Sequence, residues 1–430
     1  MQRRTLLKSA LAGSAAALAA PVIIPGRVLG LNGATPPSDR VTLGGLGIGG
    51  RGASVLRNFL KQGDVQFLAI CDVRNERREE IKSLADQHYS NRDCAMYADQ
   101  EQLWARRDID AVLIATGDRW HAPLSIFSAL KGKDVYCEKP CSMTIAESRA
   151  LADTFQRLGR IYQAGTQRRN GPNFQVAYRL ARTGKLGKLH TLHAEAGPGE
   201  RWAPLTSHAW LPAEPEPPKQ LVDWDRWLGP APWRPYHSSY VQGRWRGYFD
   251  FHGGGILEWG SHTADLCQWA ADLDHTAPVE YVPSGMGSIT PYSIECRYNN
   301  GMKLVLRDKG FLGLGSCHFR LEGDRGWVET ADSGRIEVSE SLKGEDLSYR
   351  AGDATFNHTV DFIRAVKSRR QPQSNALAAA QAHIACHAAY IAFQLGRPLR
   401  FDPATDTFTG AGSEEANRMR SRAMREPWRV

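Results

Sequence analysis

Long apolar runs, blocks of like charge and low-complexity tracts are all scarce in this 430-residue chain. After residue 30 nothing reads as the ~20 strongly apolar residues that a membrane span needs, so no stable span is expected once a leader is removed. The 54 basic and 46 acidic residues are interspersed, and no basic stripe stands behind the net charge of +8. Nucleic acid is therefore not an expected partner, because phosphate backbones are bound through clustered Lys and Arg. With 42% hydrophobic and 23% charged residues and no biased tract, the composition is that of a folded soluble protein. Paired Cys-x-x-Cys spacings with histidine partners are missing too, which removes the usual zinc signature. The eight cysteines (Cys71, Cys94, Cys137, Cys141, Cys267, Cys296, Cys317 and Cys386) lie mostly in apolar patterns and read as buried free thiols.

What is present begins with a leader. Residues 1–30 hold Arg3, Arg4, Lys8 and Arg27 and no acid, so the charge falls from +8 to +4 without them. The uncharged, alanine-rich stretch 9–24 is short for a span and reads as an export signal, with cleavage near Ala20 or near Gly30. The arginine pair followed by Thr5-Leu6-Leu7-Lys8 resembles a twin-arginine signal. That resemblance implies export to the periplasm, or beyond the cytoplasm generally, of an already folded protein, often with its cofactor loaded.

After a Pro-rich linker (31–39), strand and helix signals alternate through residues 40–164. Val41–Leu46 is an apolar strand that runs into Gly47-Ile48-Gly49-Gly50-Arg51-Gly52, a G-x-G-x-x-G pattern at a strand-to-helix junction. Gly47 permits a tight turn, Gly49 lets backbone approach a pyrophosphate and Gly52 lets the helix pack on the strand. A helix over 53–62 would aim its first amides at the phosphates. The strand Val65–Cys71 ends at Asp72, twenty residues beyond Gly52, where a carboxylate can accept ribose hydroxyls. A carboxylate there repels a 2′-phosphate, so NAD is the expected cofactor; Arg74 and Arg77 close behind leave NADP open. The run 109–115 reads as a parallel strand buried on both faces. Its carboxyl end carries the loop 116–121, with Thr116 and His121, where ligands of open α/β sheets bind. Asp134–Cys137 delivers Glu138 and Lys139 to the same edge. Helices over 124–131 and Ile145–Leu158 and a strand over 161–164 complete a doubly wound parallel sheet of the Rossmann type.

Beyond residue 165 the pattern changes to short apolar or alternating runs over 190–196, 279–285, 293–298, 302–307, 315–322 and 326–330, with a hairpin signal at Asn299-Asn300-Gly301. The segment before Gly253 is rich in Pro and Trp (Trp202, Trp210, Trp233, Trp245) and carries Arg244 and Arg246. Aromatic faces stack on sugar rings and arginines bind hydroxyls or carboxylates; a long loop packed by its own tryptophans is the plainer alternative. Glu258, His262 and Asp265 follow at spacings of four and three, which share one helical face. A carboxylate beside an imidazole raises its basicity and fixes its tautomer. His252, Glu258, His262 and Asp265 could be weighed as metal ligands, but no fuller set is evident and no metal is expected.

The glycine cradle, the Ala115-Thr116 to His121 loop and Cys137-Glu138-Lys139-Pro140 together resemble the glucose–fructose oxidoreductase / inositol dehydrogenase (Gfo/Idh/MocA) family. The resemblance continues through Gly165-Thr166-Gln167-Arg168-Arg169, the stretch 253–262, Gly323-Asp324-Arg325-Gly326-Trp327 and Pro427-Trp428, and so covers nearly everything after residue 40. It implies an NAD(P)-binding Rossmann domain (40–164) and an α/β domain (165–400) whose large, open, mostly antiparallel sheet serves as substrate floor and oligomer interface. A C-terminal tail (401–430) would pack on the body, and the protein would be a homodimer or homotetramer. Lys139 then lies near the nicotinamide. Glu258 and His262 take the family's acid and histidine positions, although many relatives carry aspartate where this chain has Glu258. Arg169, Arg244 and Asp265 are expected at the substrate. The implied chemistry is oxidation of a sugar hydroxyl or hemiacetal, with His262 as general base and Lys139 assisting. Export makes free NAD scarce, so a tightly held, internally recycled cofactor is expected. A glycosidase working by transient oxidation at C3 and elimination is the alternative, and a non-catalytic sugar-binding protein the third reading.

Overall fold

The computed structural model describes residues 35–197, 210–284 and 292–430. The leader, its cleavage points and Trp202 lie outside these residues. Met1–Arg40 forms one unit, whose described part is a short 3-10 turn at Pro37–Asp39. Val41–Val430 forms the other, a compact α/β body built on two sheets.

The first sheet has six parallel strands, β1 (Val41–Leu46), β2 (Val65–Cys71), β3 (Ala95–Tyr97), β4 (Ala111–Ile114), β5 (Asp134–Cys137) and β6 (Tyr162–Ala164), in the order β3-β2-β1-β4-β5-β6. β4 and β5 are buried at every position, which is why they are continuous apolar runs rather than alternating ones. The strand order reverses direction between β1 and β4, and this opens a crevice at their carboxyl ends. The helix after β1 spans Gly50–Leu60 and not 53–62: Gly49 is its N-cap, so the glycine run itself forms the first turn. The helix Asn75–Tyr89 escapes the periodicity argument because it is charged nearly all round, burying only Arg78, Ile81 and Ala85.

Among the described residues the second sheet has nine strands: β7 (Leu189–Glu195), β8 (Glu280–Ser284), β9 (Ser293–Arg297), β10 (Lys303–Arg307), β11 (Phe319–Gly323), β12 (Gly326–Thr330), β13 (Ile336–Val338), β14 (Leu399–Asp402) and β15 (Thr407–Thr409). Their order is β13-β12-β11-β7-β10-β9-β8-β14-β15, antiparallel throughout except for β7 with β10. The strand expected from 315 begins only at Phe319, because Gly315 and Cys317 adopt positive φ (108° and 57°) and turn the chain first. The boundary drawn at 400 falls inside β14, so the C-terminal tail starts as the edge of this sheet.

Three helices, Pro172–Arg182, Gly255–Ala270 and Ala376–Leu395, share one apolar core with the second sheet. Ala376–Leu395 packs on both Gly255–Ala270 and Ile145–Leu158, and so joins the two sheets' layers. Its alanines allow close approach, and so does Gly260 opposite: a Cβ there would lie 3.0 Å from Cys386 Sγ. The helix is long and apolar enough to cross a membrane by length and composition, and it is spent here as core. His383 on this helix accepts the Cys141 N–H through Nε2 (2.8 Å) and donates from Nδ1 to Ala379 O (2.7 Å). Burial lowers its pKa to about 4, so it acts as a neutral brace.

A second brace is ionic. Arg169 leaves the turn Gln167–Asn170 for the interior, where it is fully buried. It meets Asp265 at 2.7 and 2.8 Å, Asp274 at 2.8 Å and Gln373 O at 2.9 Å. Burial works against its charge, but the two carboxylates raise its pKa above the ordinary arginine value. Removing one partner of such a buried pair costs roughly 3–5 kcal/mol. Asp265→Asn is therefore expected to lower the midpoint of urea unfolding at pH 7 by a corresponding amount; an unchanged midpoint would show that the pair does not stabilise the fold.

Candidate active site

A cleft of about 950 Å³ runs along the carboxyl edge of the first sheet and opens toward the second domain. Gly47, Gly49, Gly50, Arg51, Asp72, Thr116, His121, Glu138, Lys139, Glu258 and His262 all border it, so most of the residues singled out from sequence converge.

At the phosphate end the glycines divide into two kinds. Gly47 has φ +64°, and a Cβ there would meet Thr116 Cγ2 at 2.0 Å; a Cβ on Gly52 would lie 2.6 Å from Ala115 Cβ. These two fit the turn to its neighbouring strand. Gly49 and Gly50 have nothing within 4 Å of a Cβ, so their backbone fronts open space. That is the cradle a pyrophosphate requires, with the first-turn amides of Gly50–Leu60 behind it. Asp72 sits at the end of β2, with Oδ1 accepting the Arg74 N–H (2.9 Å), and burial raises its pKa to about 6. The donor set and the open cradle fit a dinucleotide.

The opposite end holds the ionisable groups. Glu138 accepts from Gln167 Nε2 (2.6 Å) and Arg51 Nε (3.3 Å), linking the glycine loop to the segment after β6. His121 touches Pro140 O through Nδ1 (2.6 Å) and Thr116 O through Nε2 (3.2 Å), so it clamps the loop after β4 to the segment after β5. Lys139 Nζ lies 2.9 Å from both Glu258 Oε1 and Glu258 O, crossing from the first domain to the first turn of the helix Gly255–Ala270. Glu258 Oε2 faces His252 Nε2 at 3.4 Å, and that nitrogen is 3.8 Å from Asp118 Oδ2. Burial works against the charge of Glu258, but Lys139 and the His252 contact outweigh it and hold the carboxyl far below the usual carboxylate range.

His262, one helical turn beyond Glu258, is 4% exposed, and its Nδ1 has no hydrogen-bond partner among the described residues. Burial pushes its pKa well below 6.5, and the nearby cations Arg168, Lys139 and Arg51 push in the same direction. The imidazole is thus neutral at pH 7 and able to accept a proton.

Three expectations need correction. Arg169 and Asp265 do not border the cleft; they are the buried ion pair described above. In the 3-10 turn it is the preceding residue, Arg168, that reaches the cleft, where it pairs with Asp332 (2.7 and 2.6 Å). Arg244 is exposed and away from the cleft, and Arg246 takes its place, stacked on Trp245 with 4.3 Å to the ring centre. Of the four tryptophans, Trp245 borders the cleft, while Trp210 and Trp233 are more than half exposed. Trp259 and Tyr349 add to the aromatic surface. Among the four residues weighed as metal ligands, His252 and Glu258 do meet, with Asp118. Asp265 is engaged by Arg169, and the Lys139 ammonium already neutralises Glu258. Asp118 had no local motif to announce it, since its contact with His252 spans more than a hundred residues.

Comparison with known proteins agrees with this geometry. Residues 41–166 match the NAD-binding Rossmann fold of the Gfo/Idh/MocA oxidoreductase family, and residues 201–430 match that family's C-terminal alpha/beta domain. A glycosyl hydrolase family 109 protein of Shewanella pealeana is 31% identical over 174 residues, 39% of this chain and 37% of that protein. One from Shewanella baltica is 29% identical over 216 residues, 46% of this chain and 45% of the other. The matches thus span less than half the length of these relatives. Among solved structures, the aldose-aldose oxidoreductase of Caulobacter crescentus superposes with a TM-score of 0.60 at 16% identity, covering 84% of this chain and all of that one. The WlbA dehydrogenase of Bordetella pertussis, solved with NADH and UDP-GlcNAcA, gives 0.61 at 16% identity over 84% of this chain and 99% of that one. These structures share the fold. The two family matches together cover the first sheet and all of the second except β7, more than half of the chain, and the chain belongs to the Gfo/Idh/MocA oxidoreductase family.

Proposed function

We propose that this protein oxidises a hydroxyl of a carbohydrate with a retained NAD that is reduced and reoxidised within the same site. The observation that carries the proposal is the neutral His262 set beside the Lys139–Glu258 ion pair at one end of a dinucleotide cleft. When bound, the nicotinamide supplies hydride acceptance and return. His262 takes the hydroxyl proton as the carbon loses hydride, and the Lys139 ammonium donates to the oxygen that becomes a carbonyl. Glu258 keeps that ammonium aimed. The aromatic faces of Trp245, Trp259 and Tyr349 and the polar Arg168–Asp332 pair suit a sugar ring with its hydroxyls. Solved relatives whose names carry aldose, myo-inositol and a UDP-sugar acid support the same substrate class. Asp72 favours NAD over NADP. The leader favours export, where a recycled cofactor is an advantage, and the open second sheet offers a surface for a homodimer or homotetramer.

A second reading has its own support, since the curated relatives are named glycosyl hydrolase family 109. In that reaction, oxidation at C3 acidifies the C2 proton, the aglycone leaves C1 by elimination, water adds, and the hydride returns to C3. The two readings separate in deuterated water with a nitrophenyl glycoside. Elimination would release nitrophenol, place deuterium at C2 and leave no net NADH; simple oxidation would accumulate NADH or a second reduced sugar without loss of the aglycone. Neither outcome with any of a panel of sugars and glycosides would leave the non-catalytic binding protein in front.

The residue roles are tested separately. His262→Asn is expected to lower kcat by about 10²–10⁴-fold, the usual contribution of a positioned base, with bound NAD unchanged. Because the pKa of His262 is depressed, its neutral form persists below pH 6.5. The acid limb of kcat/KM should therefore lie well under that value, and a limb at the ordinary histidine pKa would assign the base elsewhere.

A further inference from the structure

One wall of the cleft is not supplied by the Rossmann domain. Residues 218–246, from the second domain, run along the carboxyl edge of the first sheet and are fastened there at three successive strands. Beyond β2, Arg74 and Val222 form an antiparallel bridge, flanked by Asn75 N–H to Leu221 O (2.9 Å) and Asp223 N–H to Val73 O (3.1 Å). Arg74 also donates to Val241 O (2.9 Å), and Arg78 to Gln220 O (3.0 Å). Beyond β3, Arg226 pairs with Asp99 (2.6 Å) and donates to Gln100 Oε1 (3.1 Å). Beyond β4, Arg119 lies 3.7 Å from the Trp227 ring centre and donates to Trp227 O (3.0 Å), while Trp120 Nε1 donates to Arg226 O (3.0 Å).

The segment is stiff in its own right. Trp224, Trp227, Leu228, Tyr240, Val241 and Phe251 make a separate apolar core, with Trp224 stacked on Trp227 at 4.8 Å. Its inner side borders the same cavity as Asp72, Arg74, Ala98 and Gln100, through Arg226, Trp227, Val241, Gln242 and Gly243. That end of a Rossmann cleft receives adenosine, since Asp72 closes β2 where ribose hydroxyls are held.

We propose that residues 223–245 are the second half of the adenosine subsite, enclosing the adenosine of the dinucleotide between the two domains and retaining it through turnover. Exit of the nucleotide requires the backbone bridge at Val222, the Arg226–Asp99 pair and the Arg74–Val241 contact to open together. This deepens the recycled-cofactor reading and depends only on dinucleotide binding, not on which carbohydrate reacts or how.

The test follows nucleotide exchange without any sugar. Full-length protein saturated with NAD is mixed with excess isotopically labelled NAD, desalted at intervals, denatured, and its released nucleotide weighed by mass spectrometry. Exchange of the unmodified protein is expected to take hours, and Arg226→Ala to speed it at least tenfold. Arg74 and Val222 are a non-hydrogen-bonded antiparallel pair, and the Cα separation of roughly 4.5 Å usual for such a pair lies within the range a disulfide spans. In the double variant Arg74→Cys with Val222→Cys, oxidation is expected to slow exchange at least tenfold relative to the same protein under reductant. Because both states come from one preparation, loss of folding cannot mimic the effect. Exchange complete within seconds in the unmodified protein, or equal rates for the oxidised and reduced pair, would overturn the proposal while leaving the carbohydrate reaction to its own test.

Discussion

The contact on which the site depends is the ion pair between Lys139 and Glu258. Lys139 stands at the end of a parallel strand in one domain and Glu258 in the first turn of a helix in the other, so the pair exists only if the domains are held in one register. Two turns along that helix, Asp265 meets Arg169, which stands in the turn that follows the last strand of the first sheet. The helix is thus pinned to the Rossmann layer at two points, one beside the cleft and one in the core. Gly260, between them, lets Ala376–Leu395 press close, and His383 on that helix grips the segment that follows Lys139. Packing, hydrogen bonding and charge all act on the same joint.

The electrostatic surroundings of His262 follow from that arrangement. Arg51, Arg168 and Lys139 converge near an imidazole already disfavoured as a cation by burial. A base in such a setting gives its proton back readily, because its protonated form is raised in free energy by every neighbouring cation. Reversible oxidation needs that symmetry: the group that takes the proton must also be able to return it. Arg51 contributes to this field from the glycine loop, so phosphates bound there would soften it, coupling occupancy of one end of the cleft to basicity at the other.

The Rossmann half was legible because β4 and β5 are buried at every position and because Gly47 and Gly52 stand where a Cβ would clash. The glycine cradle, Asp72 and the Lys139 segment sit at strand ends, positions marked by where an apolar run stops. What failed to be legible lies in turns. Arg168 and Arg169 are adjacent, and only the 3-10 turn decides which faces the cleft and which the core; Arg244 and Arg246 are sorted by a π-turn in the same way. Neither turn has a periodicity to read. Asp118 with His252, and Arg226 with Asp99, are pairings across more than a hundred residues and leave no local trace. Ala376–Leu395 gave no amphipathic stripe because it is buried on nearly all sides.

That last helix also bears on how such a chain can travel. By length and composition this twenty-residue helix could cross a membrane, although it carries Gln381, His383, His387 and Gln394. Once the chain has folded, fifteen of those residues are buried against the two sheets and their helices, and the segment is invisible to a bilayer. On the proposal that the leader exports an already folded protein, this segment would cross the membrane with most of its residues already covered by the two sheets and their helices.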